Sequence, residues 1–194
     1  MEHPPADWTL ERLFSRSIGA AGSARASGIE KEVTELFDDL RIPVLRYLSS
    51  FGLSADDGEE VVQEVFLSLF LHLRDYKPRS NLRGWIFRVA HNLGLKRRER
   101  NHRVLKLVAH SNEYSSESHL DAGQDPEEHL SSAQRTQRLL AVVNALPELD
   151  RRCLYLRAEG LRYREIAQVL CISVGGVALC LTRSFARLMQ ADGR

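Results

Sequence analysis

The pattern that most constrains the fold lies near the carboxyl end of the chain, between residues 146 and 189. Pro147 suits the first turn of a helix, where its missing N–H costs no hydrogen bond, and Gly160 suits a left-handed residue that ends a helix. A second helix is predicted over 163–170, and Ser173 is placed to cap the start of a third. These signals predict two short helices joined by a tight turn, with a supporting helix before them.

The third helix of this unit carries two kinds of side chain on different faces. Apolar residues at helical spacing predict a buried stripe that contains Val174, Val177, Leu181 and Leu188. Polar residues fall off that stripe, namely Thr182, Arg183 and Arg187. A helix-turn-helix of this kind fits the major groove of DNA, although an ordinary helical hairpin whose apolar positions build only a core has the same pattern.

The first half of the chain is also helical by the spacing of its apolar residues, and the sequence contains no strand pattern. Periodicity begins at Ile29, Pro43 starts or kinks a helix, and Gly52 ends it. Ser54 caps the helix with the most regular apolar stripe, which consists of Val61, Val62, Val65, Phe66, Leu69, Phe70 and Leu73. A last helix over about 82–103 combines apolar residues with a run of basic ones.

The net charge of +1 conceals strong segregation along the chain. The net charge is −7 over residues 29–76 and +9 over 77–106, and then −6 over 107–134 and +5 over 135–194. Each basic block follows an acidic one, which predicts two surfaces that face nucleic acid and a segment between them that avoids it. The basic run Lys96–Arg100 is equally typical of a solvated helix end, which the helix dipole favours.

These patterns predict an all-α protein in which two small helical domains are joined by a flexible linker, the second domain being a helix-turn-helix. The domains cover 29–106 and 135–194. An acidic, Ser-rich linker over 107–134 separates them, and an extension over 1–28 that is rich in Ala, Gly and Ser is expected to be disordered.

Several classes of protein are disfavoured by what the sequence lacks. No apolar run is long enough to cross a membrane and the first residues have no signal-peptide core, so we expect a cytoplasmic protein without membrane insertion. The three cysteines have no C-x-x-C spacing and the seven histidines are scattered, which argues against a metal site. No nucleophile or phosphate-loop pattern is present, and we therefore expect no catalytic residues, no cofactor and no enzymatic activity.

Two segments resemble a known protein family. The first runs Glu59-Glu-Val-Val-Gln-Glu-Val-Phe-Leu67, continues with Asn81-Leu-Arg-Gly-Trp-Ile-Phe-Arg-Val-Ala-His-Asn92, and resembles region 2 of the extracytoplasmic-function (ECF) group of sigma-70-type sigma factors. The second, from Leu146 to Leu188, resembles region 4 of the same group. The resemblance implies a subunit that joins core RNA polymerase, directs it to promoter DNA and helps to melt the minus-10 element, with an anti-sigma factor as a further partner.

The resemblance also implies where the chain meets core polymerase. In this group the polar face of the region 2 helix docks on the clamp helices of the largest catalytic subunit. The residues at matching positions are Glu60, Gln63, Glu64 and Leu67. Acidic and amide groups suit a basic coiled coil, and an apolar centre can be buried there.

The loop and helix over 77–100 are implied to bind the minus-10 element, by capturing an extruded base and holding the phosphates. The residues assigned to this task are Arg79, Ser80, Asn81, Arg83, Trp85, Arg88, Asn92, Lys96 and Arg97. Trp85 is either a stacking platform or a core residue. The acidic linker either mimics phosphate within polymerase channels or is an ordinary disordered connection.

The recognition helix departs from the family pattern. Members usually have Gly-Thr-Val followed by a basic residue, a serine and an arginine, whereas this chain has Gly175-Gly-Val-Ala-Leu-Cys180. The positions expected to face the major groove therefore hold Gly176, Ala178, Leu179 and Cys180, whose side chains cannot make bidentate contacts with bases. The residues assigned to the minus-35 element are Arg162, Arg164, Ser173, Gly176, Ala178, Leu179, Thr182, Arg183 and Arg187. Recognition there is weak and driven by DNA shape, or the surface serves a protein partner, which would make the chain a sigma-like regulator that acts mainly through proteins.

Overall fold

The structure is a computed structural model that describes residues 23–75, 77–78, 80–109 and 129–192. Within these residues the chain forms seven α-helices and no β-strand, which confirms the all-α prediction. The helices are α1 (Ser23–Ser49), α2 (Ala55–Arg74), α3 (Leu82–Ala109), α4 (His129–Ala145), α5 (Glu148–Ala158), α6 (Tyr163–Leu170) and α7 (Val174–Ala191).

Helices α1, α2 and α3 pack around an apolar core. The predicted stripe of α2 is its buried face, and each of its members is at most 4% exposed. Aromatic rings of the neighbouring helices complete this core: Phe37 meets Phe66 edge-on at 5.0 Å between ring centroids, and Tyr47 meets Phe87 at 5.8 Å. Burying a large apolar side chain stabilises the fold by roughly 1.5–3 kcal/mol, so this stripe decides which side of α2 stays in solvent.

Helix α1 is longer than the sequence predicts. It begins at Ser23, ahead of Ile29, and it continues through Pro43 instead of starting there. Proline removes one backbone hydrogen bond from a helix. The helix persists because Leu40 and Val44, on either side of the proline, are 2% and 0% exposed and anchor both halves in the core.

Helical structure also reaches into both ends of the predicted linker over 107–134. Helix α3 ends at Ala109 and α4 begins at His129. The remaining segment 110–128 lies outside the described residues, as do residues 1–22. Periodicity did not predict the last turns of α3 because Val104 and Leu105 are exposed, so no buried stripe marks them.

Helices α5, α6 and α7 form the predicted helix-turn-helix with its supporting helix. Gly160 adopts a φ of 84°, and the Ser173 hydroxyl accepts a hydrogen bond from the Gly176 backbone N–H at 3.0 Å, both as the sequence predicts. The turn between α6 and α7 contains Cys171 at a φ of 54°, a conformation that few residues other than glycine adopt. The two helices are bent by 103° at this turn.

The two helical units pack against each other. Helix α3 contacts α6, and α1 contacts α5. Buried apolar residues of both units belong to one contiguous cluster. The two units, which the sequence predicts to be joined by a flexible linker, are thus in direct contact along a shared boundary.

His91 is buried close to this boundary. Its Nδ1 lies 2.8 Å from the Tyr47 hydroxyl, and its ring centroid is 5.6 Å from that of Phe51. Burial, and then the positive charge of Arg152 from α5, lower the pKa of His91 from 6.5 to about 4. The ring is therefore neutral near pH 7, and Nδ1 can accept a hydrogen bond from the Tyr47 hydroxyl.

We predict that the free energy of unfolding decreases as the pH falls from about 6.5 to about 4. The folded-state pKa of His91 lies below its unfolded value, so the unfolded chain binds more protons in this window and stability is lost, by up to about 3 kcal/mol. Urea unfolding followed by circular dichroism measures the loss. The His91→Gln variant should lack most of this pH dependence, and an unchanged dependence in that variant would contradict the assignment.

Candidate nucleic-acid and polymerase interface

The exposed side of α2 carries the residues assigned to polymerase docking. Glu60, Gln63 and Glu64 are exposed, and Leu67, which is 41% exposed, lies on the same face. Leu71, one turn further along, is 38% exposed and extends this face. Sequence reasoning missed Leu71 because it lies within a nearly continuous apolar run. The face thus combines acidic and amide groups with two exposed leucines.

Glu60 takes part in an ion-pair network that joins α2 to α3. The guanidinium of Arg97 binds the carboxylate of Glu60 and also lies 3.0 Å from Oδ1 of Asp57. Burial alone would raise the pKa of Asp57, but hydrogen bonds from Asn101 and Ser54, together with the charge of Arg97, lower that pKa overall. Arg97, which the sequence assigned to DNA phosphates, is thus held against α2 in this structure.

The exposed side of α3 carries a short basic face. Arg88, Asn92 and Lys96 are all exposed, and their spacing of four residues places them on one side of the helix. These three residues were assigned to the minus-10 element, and the structure brings them together. Their side chains point away from the core that α3 forms with α1 and α2.

The loop before α3 is only partly described. Arg79 lies outside the described residues, and Ser80 and Asn81 are exposed. The Asn81 side-chain oxygen accepts a hydrogen bond from the Gly84 backbone N–H at 3.0 Å, and Asn81 adopts a φ of 55°. Asn81 therefore caps the start of α3, in addition to any contact with a base.

Trp85 lies at the edge of the core. Its side chain is half-buried and packs against the apolar cluster, and its ring centroid is 4.6 Å from that of His72. The His72 Nε2 in turn lies 2.9 Å from the Pro78 carbonyl oxygen. These contacts favour the core interpretation of Trp85 in the free chain.

Arg83 points toward the second helical unit. Its Nε and Nη2 donate hydrogen bonds to the backbone oxygen of Glu159, at 3.1 and 2.5 Å. The sequence assigned Arg83 to DNA phosphates. In this structure its guanidinium is occupied by the end of α5, so phosphate binding would require the two units to separate.

The helix-turn-helix exposes most of the residues assigned to the minus-35 element. Those exposed are Arg162, Arg164, Ser173, Leu179, Thr182, Arg183 and Arg187, and those half-buried are Gly176 and Ala178. Ser173 and Gly176 form the cap of α7 described above. Leu179 is 63% exposed, so the centre of the recognition helix presents an apolar side chain to solvent.

Arg183 has a structural contact within its own unit. Its Nε and Nη2 donate to the two carboxylate oxygens of Asp150 at 3.1 and 2.7 Å. Asp150 is 0% exposed, and the hydrogen bond from Arg183 is the main reason that its pKa is lowered. This bidentate pair joins α5 to α7 and orients the recognition helix.

The expectation that Cys180 faces the DNA groove is wrong. Cys180 is 2% exposed and lies beside Cys153 of α5. The buried face of α7 contains Val177, Cys180, Leu181 and Ser184, so helical phase turns Cys180 inward. Burial raises the pKa of Cys180 and raises that of Cys153 to about 12.

The outward face of α7 is unusually apolar for a helix that reads bases. In addition to Leu179, Phe185 and Met189 are 45% and 57% exposed. The prediction that Val174 belongs to the buried stripe is wrong, because this first residue of α7 is 44% exposed. Sequence reasoning missed Phe185 and Met189, although both fall outside the predicted buried stripe. Polar exposed residues also lie on this helix, among them Thr182 and Arg187.

Two further properties bear on the class of protein. Among the described residues, no cluster of three or more His, Cys, Asp or Glu side chains could hold a metal ion. Of the helices that the structure describes, none is by itself long and apolar enough to cross a membrane, and α6 and α7 meet that test only as a bent pair.

Comparison with known proteins identifies both helical units. Residues 36–104 match the family described as Sigma-70 region 2, and residues 136–188 match Sigma-70, region 4. The chain is 28% identical over 132 residues to the ECF RNA polymerase sigma-E factor of Haemophilus influenzae, a match that covers 64% of this chain and 69% of that protein.

Solved structures show the same fold. The sigma factor RpoE of Bartonella quintana, in complex with the anti-sigma factor NepR, superposes with a TM-score of 0.62 at 17% identity and covers 83% of this chain and 96% of RpoE. CnrH, in complex with the cytosolic domain of CnrY, gives a TM-score of 0.57 at 21% identity and covers 87% of this chain and 92% of CnrH. With regions 2 and 4 in order and ECF factors among its relatives, the chain belongs to the ECF group of the sigma-70 family.

Proposed function

We propose that this chain binds core RNA polymerase, directs it to promoters through minus-35 and minus-10 elements, and helps to open the DNA at the latter. It acts as a binding subunit without catalytic residues of its own. The main support for the proposal is that one three-helix unit has two different exposed faces. The face on α2 is acidic and apolar, and the face on α3 is basic. One face suits a basic protein helix and the other suits DNA.

Run-off transcription tests the proposal. Purified core polymerase is supplied with DNA from upstream of this gene, with and without the chain. A transcript that depends on the added chain supports the proposal. Failure of the chain to associate with core polymerase would refute it.

Polymerase docking depends on the exposed face of α2. Leu67 and Leu71 provide an apolar centre, and Glu60, Gln63 and Glu64 surround it with acceptors for basic partners. Interfaces of this composition are stabilised by the buried centre, and their charged surroundings mainly set orientation and rate of association.

We predict that Glu64→Arg weakens binding to core polymerase by about tenfold, because it places a like charge opposite a basic partner surface. Glu35→Arg is the matched control, since Glu35 is an exposed residue of α1 that lies 3.9 Å from the Lys31 ammonium on the same helix. Fluorescence anisotropy of the labelled chain with core polymerase measures both affinities. Equal affinities for the two variants would contradict this docking face.

The minus-10 element is bound, in this proposal, by the face of α3 that carries Arg88, Asn92 and Lys96. Arginine and lysine attract phosphates without reading sequence, and the amide of Asn92 can add a directed hydrogen bond. Ser80 and Asn81 lie at the start of the same helix and are exposed, so an extruded base could be bound there.

We predict that the double variant Arg88→Ala with Lys96→Ala reduces the salt dependence of binding to minus-10 DNA. Loss of two phosphate contacts should make the negative slope of log K against log salt shallower by about 1.4 to 2. The measurement is a salt titration of the polymerase complex on DNA whose minus-10 region is already unpaired. The control, Lys31→Ala with Arg74→Ala, removes two positive charges elsewhere and should have the wild-type slope. A wild-type slope in the test variant would show that this face of α3 does not bind the minus-10 DNA.

The minus-35 element is contacted mainly through phosphates. Arg162, Arg164 and Arg187 are exposed cations, whereas the centre of α7 offers Ala178 and Leu179 to the bases. We infer low sequence specificity at this end. The exposed apolar face of α7 favours a second role in binding a protein, and an anti-sigma factor is the proposed partner because the solved relative RpoE is in complex with the anti-sigma factor NepR.

We predict that Ala178→Arg with Leu179→Arg strengthens binding to minus-35 DNA by about tenfold or more, since a good arginine–guanine contact contributes about 1–3 kcal/mol. Cys180 is left unchanged because it is buried. Gel-shift titrations measure the gain. Leu140→Arg with Leu149→Arg adds the same charge at exposed positions of the same unit and serves as the control. If the test variant binds minus-35 DNA no more tightly than the control at any salt concentration, residues 178 and 179 are not the cause of low sequence specificity.

A further inference from the structure

An amphipathic motif in the extension before α1 has no role in the proposed function. Leu10, Leu13 and Phe14 recur at i, i+3 and i+4, and Ile18 follows at i+8. This spacing predicts a helix over residues 8–18 with one apolar stripe. We call residues 8–18, which lie outside the described part of the chain, the tail segment. The sequence Gly-Ala-Ala-Gly over 19–22 follows it, and glycine at both ends favours a turn before α1.

The tail segment is too short to be a stable helix by itself. It has eleven residues, and isolated helices of this length are marginal in water. Its stripe therefore needs an apolar surface to pack against. The exposed face of α2 offers one, because Leu67 and Leu71 are 41% and 38% exposed and lie one turn apart on the same side. From Glu60 to Leu71 this face extends about 16 Å, and a helix over 8–18 would be about 15 Å long.

The extension joins the first unit close to this face. Helices α1 and α2 are antiparallel, since Leu45 lies beside Gly58 and Phe37 meets Phe66. The same register brings Ile29 level with the end of α2, so the first six residues of α1 project past that end by about 9 Å. The four residues 19–22 can span about 14 Å, which is enough to turn the tail segment back along α2.

Charge favours the same position. The tail segment contains two bases, Arg12 and Arg16, and one acid, Glu11, so its net charge is +1. The face of α2 presents the exposed carboxylates of Glu60 and Glu64. It belongs to the block over 29–76, whose net charge is −7. Opposite charges on two surfaces speed their association and fix their orientation.

The outward face of α7 is too distant for the tail segment. Helix α1 meets the second unit through Arg46, which pairs with Glu159 of α5. Arg46 lies about 35 Å along α1 from Ser23. A connection of four residues cannot cover this distance, so the face of α2 is the apolar surface within reach.

We propose that the tail segment docks as a helix on the exposed face of α2 in the free chain and competes there with core polymerase. The competition rests on the proposed function, because that function assigns the same face to polymerase. Docking buries Leu13 and Phe14 against Leu67 and Leu71. Polymerase binds only while the face is uncovered, so its apparent affinity is reduced in proportion to the fraction of chains with an uncovered face.

Photo-crosslinking within the free, full-length chain tests the docking. Phe14→benzoylphenylalanine places a photoreactive group on the apolar stripe, and mass spectrometry identifies the crosslinked peptides after irradiation without polymerase. We expect crosslinks within one chain to residues 60–71 of α2. Crosslinks confined to other helices, a crosslinked dimer, or no crosslink at all would each overturn docking within the chain.

Matched variants of the full chain test the competition. The test variant is Leu13→Glu with Phe14→Glu, on the apolar stripe, and the control is Thr9→Glu with Ser15→Glu, outside it. Both add two negative charges to the tail segment, and all four positions precede α1. If the tail segment covers the face about four-fifths of the time, the test variant binds core polymerase about fivefold more tightly than the control. Fluorescence anisotropy of the labelled chains measures both affinities, and equal affinities would reject the competition.

The docking and the proposed function fail in distinguishable ways. If neither the wild-type chain nor its variants associate with core polymerase, the proposed function is refuted, while the crosslinks in the free chain still report on docking. If the wild-type chain associates with polymerase but no crosslink to α2 forms, the docking is wrong and the proposed function stands. Crosslinks to α2 together with equal affinities would show that the docked tail segment does not compete with polymerase.

Discussion

Helix α3 packs on two sides at once, and the other surfaces of the molecule depend on this. Ile86 and Ala90 are fully buried in the core with α1 and α2, while His91 lies toward the boundary with α5. The remaining side is the basic face with Arg88 and Lys96. A helix surrounded in this way can rotate little, so the direction of its basic face is set by the packing of its other sides.

Features that depend on neighbouring residues in the chain were predictable from the sequence. The Ser54 and Ser173 caps, the left-handed Gly160 and the buried stripe of α2 are all as expected, because capping and periodicity are local properties. Pro43 shows where a local signal fails. Burial of its neighbours on both sides outweighs the hydrogen bond that proline removes.

Partners distant in the chain were not predictable. Arg83 and Arg97 have the composition of DNA-binding residues, but one binds the end of α5 and the other binds Glu60 and Asp57. A basic residue in a sequence shows only that a charge is present, whereas its partner is set by the packing of helices far apart in the chain. Cys180 illustrates a smaller error, since a shift of one position on α7 turns a residue from solvent to core.

The protonation of the two buried thiols has a consequence for chemical signalling. Only a thiolate attacks oxidants and electrophiles efficiently, and a raised pKa keeps Cys153 and Cys180 as thiols. These two thiols lie side by side between α5 and α7, but because they stay protonated they do not form a regulatory disulfide under oxidative stress. Peroxide or an alkylating agent would reach Cys171 first, at the turn that sets the angle of the recognition helix.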